Sequence, residues 1–335
     1  MKNPIINHQS NIFRRTLVTG DKGFVGKYAV ANIPETTGLT TLNPGIDIRN
    51  KESILDCLNT FQPEAVLHLA AMSFVPESFK SPEAAFEVNF LGTLRLLEAL
   101  TETGFKGRFL YVGTGDAYGK VDPSELPIRE TRLLRPLNPY AVSKAATEAL
   151  CFQWSQTGPF EIVMARPFNH IGAGQSPNFS ISNFAKQIAE IAAGLRPAVL
   201  NVGNLEATRD FTDVRDVVRA YELMLTHARN GEIYNVCSGI ERSIRTLLKR
   251  LLDLSGVAAE IATDSTRYRP TDQPRVCGSH EKLKEQTGWK PEIPIDETLL
   301  NLYRYWENKI NDSKKESLDH GHNRAGRGLS GKAFA

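Results

Sequence analysis

Thr16-Leu17-Val18-Thr19-Gly20-Asp21-Lys22-Gly23-Phe24-Val25-Gly26 is a short apolar run that breaks into three glycines spaced by three. Such glycines let a strand turn tightly into a helix, and they let a pyrophosphate approach the N–H groups and positive dipole at the helix N-terminus. The run predicts a buried strand and Phe24 to Ala31 predicts a helix. Gly20, Gly23, Phe24, Val25 and Gly26 are therefore the candidate cradle for a dinucleotide. A Gly-rich turn in an ordinary βα unit would show the same local pattern.

Further runs at Ala65 to Leu69, Phe109 to Val112 and Ile162 to Ala165 are short enough for buried strands, with helix-like stretches between them. That alternation is the pattern of a parallel sheet with crossover helices. The expected fold is α/β, a Rossmann-type doubly wound parallel sheet with a smaller C-terminal substrate-binding lobe. Strict alternation loosens after Arg166, where Gly172, Gly174 and Pro177 mark a loop. The expected boundaries are an extension at 1–13, a dinucleotide-binding domain at 14–170 plus 206–240, a second lobe at 171–205 plus 241–310, and a disordered tail at 311–335. Within Pro82 to Leu100, the residues Phe86, Phe90, Leu94 and Leu97 fall at helical spacing and predict a buried stripe.

At 335 residues the chain is long enough for a substantial core, and a formal net charge of +2 recommends neither nucleic acid nor membrane as a partner. Cys57, Cys151, Cys237 and Cys277 lie far apart without CxxC spacing, which argues against a zinc site or disulfide framework and suits a reducing compartment. No stretch is apolar for the roughly 20 residues a membrane helix needs, and Met1 to Ile12 lacks the apolar centre of a secretory signal. The expectation is a cytoplasmic protein without a metal site. His320 and His322 read as part of a solvated tail.

Asn138-Pro139-Tyr140-Ala141-Val142-Ser143-Lys144-Ala145 places a phenol and an ammonium four positions apart, on one face of a helix. An ammonium beside a phenol favours the phenolate, so Lys144 is expected to lower the pKa of Tyr140 and make it a proton donor and acceptor. Tyr-x-x-x-Lys by itself also fits a solvated helix face. Upstream, Tyr111-Val112-Gly113-Thr114-Gly115-Asp116-Ala117-Tyr118-Gly119 puts the hydroxyl of Thr114 at a strand's C-terminal end, the edge where open parallel sheets bind ligands.

Glycine loop, strand-end hydroxyl and Tyr-x-x-x-Lys, in this order, resemble the extended short-chain dehydrogenase/reductase family over residues 14 to 310. Arg166-Pro167-Phe168-Asn169-His170-Ile171-Gly172, Phe184-Ala185-Lys186-Gln187-Ile188, the segment Val202 to Val214 and Tyr234-Asn235-Val236-Cys237-Ser238-Gly239 are similar to the branch that reduces nucleotide-linked 4-keto sugars. The resemblance implies NAD(P)H-dependent reduction of the C4 ketone of GDP-4-keto-6-deoxy-D-mannose to GDP-D-rhamnose, a precursor of surface polysaccharide such as lipopolysaccharide. Thr114, Tyr140 and Lys144 would be catalytic.

It further implies that Asp47 and Ile48 lie near the adenine, that Leu69, Ala70 and Ala71 pass the pyrophosphate and nicotinamide ribose, and that Pro167 borders the coenzyme. His68 reads as a packed structural residue. The substrate diphosphate needs cations and amide donors, for which Asn169, Lys186, Arg209, Arg269 and Arg275 are candidates, with Phe179 facing the base or the core. The family pairs its Tyr-bearing helix and the helix at 82–100 with copies in a second subunit, which implies a homodimer through a four-helix contact. The stretch Leu39 to Pro44, where the resemblance places the end of the second strand, holds neither the carboxylate that grips an NAD ribose nor the arginine that admits an NADP phosphate, so NAD(H) and NADP(H) both stay open.

Relatives run three chemistries. Asp116 occupies the place from which a 4,6-dehydratase removes a proton, although the preceding residue here is Gly115. Elimination is the second reading, C4 epimerisation the third. Reduction from the opposite face would yield GDP-6-deoxy-D-talose, and a nucleotide-sensing protein without turnover is the alternative from outside enzymology.

Overall fold

The computed structural model describes residues 13–42, 46–264 and 273–325. Along the chain run β1 (Thr16–Thr19), α1 (Phe24–Asn32), β2 (Thr36–Gly38), α2 (Leu39–Leu42), α3 (Lys51–Phe61), β3 (Ala65–His68), α4 (Val75–Lys80), α5 (Pro82–Phe86), α6 (Gly92–Glu102) and β4 (Arg108–Val112). Next come α7 (Pro139–Thr157), β5 (Glu161–Pro167), β6 (Asn169–Ile171), α8 (Ser180–Ala192), β7 (Val199–Val202), β8 (Thr208–Asp213) and α9 (Val214–His227). The chain continues through β9 (Ile233–Val236), β10 (Glu241–Ser243), α10 (Ile244–Ser255), β11 (Glu260–Thr263), α11 (Glu281–Thr287) and α12 (Ile295–Ala325). Two compact units result, the first from residues 13–170, 207–242 and 273–293, the second from 171–206, 243–264 and 294–325.

In the first unit six strands form a parallel sheet in the order β2-β1-β3-β4-β5-β9. The order reverses at β1, which makes the C-terminal ends of β1 and β3 the switch point of the sheet. Successive residues point to opposite faces, and both faces are covered. Val18, Leu67, Leu110 and Val163 pack with Val217, Tyr221 and Met224 of α9, whereas Leu17, Val66, Phe109 and Ile162 pack with Ile54 and Leu58 of α3 and Leu96, Leu97 and Leu100 of α6. Burial on two sides is why the strands read as continuous apolar runs rather than alternating ones. Each large side chain so buried contributes about 1.5–3 kcal/mol.

Residues 273–293 belong to this first unit, against the expectation that everything from 241 to 310 would build the second lobe. The cause is visible in α11 and the turn after it: Leu283 and Trp289 enter the core beneath the sheet, and the Trp289 indole donates to the Asp216 carbonyl at 3.0 Å. The stripe at 82–100 also needs correction. Of Phe86, Phe90, Leu94 and Leu97, only Leu97 is buried, and the inward residues include Ala85, Asn89, Thr93, Leu96 and Leu100. A π turn at Glu87–Leu91 shifts the phase between α5 and α6, which a straight 3.6-residue count cannot foresee.

In the second unit α8, α10 and α12 pack together beside the parallel pair β7 and β11. The Gln187 side chain closes both hydrogen bonds with the Asn201 backbone, at 2.9 and 3.0 Å, tying α8 to β7. Leu299, Leu302, Tyr303, Trp306 and Ile310 bury one face of α12. The expected tail at 311–335 is helical through Ala325, and residues 326–335 lie outside the described ones. After Ile310 the segment continues with helix-forming Lys and Glu residues, and Lys314 reaches the Ala193 carbonyl at the end of α8.

Candidate active site

The glycine loop runs from β1 into α1 as expected. Gly20 holds a positive φ of 73°, and a Cβ there would lie 2.8 Å from the Ala70 nitrogen. A Cβ on Gly26 would run into the Gly20 carbonyl, so the third glycine lets the helix close on its own loop. The Gly23 N–H donates to the Gly20 carbonyl at 2.9 Å, and no side chain caps α1. The first N–H groups of the helix thus have no capping side chain to compete with an anion.

Leu69 and Ala70 donate to the Thr19 carbonyl and hydroxyl at 3.2 and 3.1 Å, which holds the 69–71 segment against the loop at the switch point. This cradle fits a dinucleotide. A carboxylate does stand against the end of β2, but it belongs to Asp21 of the glycine loop, occupying the space a side chain at Gly38 would fill. Asp21 precedes β2 in the chain, so the residues that follow the strand carry no sign of it. Asp47 is held by Arg49 through paired bonds at 3.0 and 2.5 Å, which lower its pKa, and Ile48 is buried in the core against Gly92.

Asn138 accepts from the Ala141 N–H at 2.7 Å, and Pro139 occupies the first turn, so α7 starts where its cap dictates. Tyr140 and Lys144 follow on one face. Thr114 ends the segment after β4, its hydroxyl accepting from the Asp116 N–H at 3.2 Å and hydrogen-bonded to Tyr140. Lys144 is buried, with its ammonium 4.7 Å from the centroid of the Tyr111 ring, and burial lowers its pKa to about 8. The Tyr111 hydroxyl donates to the Lys144 carbonyl at 3.0 Å, fixing the helix over β4.

The expected depression of the Tyr140 pKa is not found. Burial raises it, the Asp116 carboxylate raises it further, and the Thr114 hydrogen bond only partly opposes them. Lys144 sits over Tyr111 instead of neutralising the phenol.

Behind these groups lies a buried ion pair that motif reading did not find. Arg166 on β5 holds Glu148 on α7 in two bonds of 2.8 and 2.6 Å and donates to the Tyr118 hydroxyl at 2.8 Å. The pair pins the helix one turn past Lys144 to the strand that ends at buried Pro167. Its only sequence signal was that Glu148 stands four residues after Lys144.

The substrate candidates divide. Asn169 on β6 is exposed, and Arg209 lies on β8, the strand next to it, donating to the Thr208 and Gln273 carbonyls at 2.7 Å each. Arg275 is committed to Glu241 through two bonds of 2.7 and 2.6 Å, and Glu241 also takes the Thr208 hydroxyl. Arg269 lies outside the described residues. Phe179 and Lys186 belong to the second unit, Phe179 exposed and Lys186 paired with Glu190 at 3.5 Å and lying 5.7 Å from the Trp306 ring. All four cysteines are free and buried. Among the described residues no cluster of metal-ligating side chains occurs and no helix is long and apolar enough to cross a membrane.

Fold and site together define a dinucleotide-binding oxidoreductase scaffold of the extended short-chain dehydrogenase/reductase type. The family model described as GDP-mannose 4,6 dehydratase matches residues 38–302, and the chain belongs to that family. It is 44% identical over 302 residues to GDP-6-deoxy-D-mannose reductase of Pseudomonas aeruginosa, covering 89% of this chain and 99% of that one. Identity to GDP-mannose 4,6-dehydratase of Yersinia enterocolitica is 28%, over 76% of each chain. The solved structure of RMD from Pseudomonas aeruginosa complexed with NADPH superposes with a TM-score of 0.84 at 44% identity, over 88% of this chain and 99% of that one.

Proposed function

We infer that this protein reduces the C4 ketone of GDP-4-keto-6-deoxy-D-mannose to GDP-D-rhamnose at the expense of NAD(P)H. The observation that carries the reading is the likeness to the reductase, which is far greater than that to a dehydratase and runs through nearly the whole of that relative. The coenzyme, when bound, supplies the hydride that reduces C4. Everything else falls to side chains of this chain.

As the carbonyl oxygen gains negative charge, Tyr140 gives it a proton and Thr114 adds a hydrogen bond. A phenol kept protonated by burial and by Asp116 suits that direction of transfer. The phenolate left behind recovers its proton from solvent, and the Lys144 ammonium, one turn along α7, would hold the nicotinamide ribose.

Asn169 and Arg209 of the first unit are the candidates for holding the diphosphate. Two chains associate through α7 and the neighbouring helices. In support, Phe79, Val142 and Phe152 leave 51%, 39% and 49% of their surface exposed on helices that adjoin one another. The reaction is assigned to the cytoplasm, where free thiols persist, as a step toward lipopolysaccharide.

The test is to incubate the protein with the 4-keto sugar nucleotide and each reduced coenzyme, and to identify the product by NMR. Coenzyme oxidation with a rhamno product supports the reading, and a talo product overturns its stereochemistry. Because the matching family model is named for a dehydratase, GDP-mannose with oxidised coenzyme is the control. Loss of water there would move the chemistry to Asp116.

A further inference from the structure

We infer that His68 is a positioning residue, the fixed-tautomer centre of a buried hydrogen-bond relay that joins the coenzyme loop to the helix carrying Tyr140. This role rests on the reductase reading only for what the helix does; the relay itself follows from the number of protons its hydroxyls carry. His68 ends β3 and is buried between two threonines, its Nδ1 lying 2.7 Å from Thr19 Oγ1 and its Nε2 lying 2.8 Å from Thr93 Oγ1.

A threonine hydroxyl has one proton. Thr93 spends its proton on the Asn89 carbonyl at 2.6 Å. Toward His68 it is therefore an acceptor, and Nε2 carries the imidazole hydrogen. Nδ1 is then an acceptor, so the Thr19 hydroxyl donates to it. The lone pairs of Thr19 remain open to the Ala70 N–H, which donates at 3.1 Å. Donation thus runs in one direction, from Ala70 through Thr19, His68 and Thr93 to the Asn89 carbonyl.

The neutral form that this count requires is also the stable one. Burial, aided by the nearby Lys144 ammonium, drives the His68 pKa down to about 3. Its ring lies 5.5 Å from that of Phe109 and 6.3 Å from that of Tyr111, over which Lys144 rests. A second cation here would repel Lys144.

At its far end the relay reaches the active-site helix. Asn89, in the π turn, accepts from the Met72 N–H at 2.8 Å and donates to Ser143 Oγ at 2.8 Å. Ser143 donates to the Tyr140 carbonyl at 2.8 Å, and the Thr147 hydroxyl, which lies 3.1 Å from the Asn89 carbonyl, is 2.7 Å from the Ser143 carbonyl. Thr19 and Ala70 touch the loop that would hold the coenzyme; Ser143 sits between Tyr140 and Lys144. His68 connects the two through Thr19 and Thr93.

Two substitutions cut the relay on opposite sides. The amide of His68→Asn falls near Nδ1, so its oxygen still accepts from Thr19 while the bond to Thr93 is lost. The amide of His68→Gln reaches the place of Nε2, so it still donates to Thr93 while Thr19 loses its acceptor. The expected split is a fall of about tenfold in kcat for H68N with coenzyme Kd within about twofold, and a rise of about tenfold in coenzyme Kd for H68Q with kcat within about twofold.

Thr93→Val should behave as H68N does, which keeps the test available if one histidine variant does not fold. Coenzyme affinity is read by NADPH fluorescence without sugar. The tautomer is read on the unaltered protein by ¹⁵N–¹H correlation, and a proton on Nε2 throughout about pH 5 to 9 is expected. These two readouts stand even if the ketone assignment fails. A proton on Nδ1, a ring that titrates in that range, or variants that lose thermal stability with no split between kcat and coenzyme Kd would overturn the proposal.

Discussion

The coenzyme loop and the substrate-facing side chains differ in what builds them. The loop is made of backbone: glycines at fixed spacing, a strand order that reverses at β1, and N–H groups bonded to Thr19. The cations proposed for the substrate come from separate segments, and among the described ones Lys186, Arg209 and Arg275 are already held by the protein's own carboxylates or carbonyls, as Arg275 is by Glu241. Local spacing dictates the first kind of site. Distant partners that no motif records decide the second.

That contrast breaks most visibly at the reacting groups themselves. Tyr140→Phe should lower kcat by about 10³-fold while coenzyme still binds, since proton transfer is lost and the loop is untouched; fluorescence titration beside turnover checks this. Retained activity would mean that another group supplies the proton. At the loop, Gly20→Val puts a side chain at a φ of 73° and within 2.8 Å of the Ala70 nitrogen. Coenzyme affinity should fall about 100-fold and the melting temperature should drop, with a strain of roughly 1–3 kcal/mol.

The pH profile sharpens the comparison from the electrostatic side. Lys144 has its pKa lowered to about 8, so turnover should fall as pH rises above about 8, by roughly tenfold per unit once the ammonium is lost. Folding stability should move the opposite way. Below pH 8 the buried ammonium opposes folding in full, and between about 8 and the ordinary lysine value of 10.5 the unfolded chain binds the extra proton, so this group's contribution rises with pH. Lys144→Met should abolish the alkaline limb of the rate profile.

The smallest effects separate the two arginines. Arg209→Ala should raise the KM for the sugar nucleotide about tenfold, whereas Arg275→Ala should change it by less than about threefold and cost no more than about 1 kcal/mol, the range for a partly exposed ion pair. Equal effects would show that Arg275 leaves Glu241 to bind the diphosphate.

What the sequence made legible follows the same division. Four strands, the glycine turn and the Tyr-bearing helix were readable because their signals are local: apolar runs, Gly spacing and the Asn138-Pro139 cap. The buried stripe at 82–100 was misphased because one π turn interrupts the helical period at Asn89. The placement of 273–293 turned on the burial of Leu283 and Trp289 beneath a sheet formed far away in sequence. The Tyr140 proton affinity depended on Asp116 and on burial, and spacing to Lys144 alone pointed the wrong way. Helical residues 311–325 lacked an apolar pattern to announce them.

The most direct test of reduction at C4 uses coenzyme deuterated at the transferred position of its nicotinamide ring, with GDP-4-keto-6-deoxy-D-mannose as acceptor and NMR of the product. The account predicts one deuterium at C4 of a rhamno-configured sugar for each coenzyme oxidised. Coenzyme left unconsumed, or a product without deuterium at C4, would contradict it.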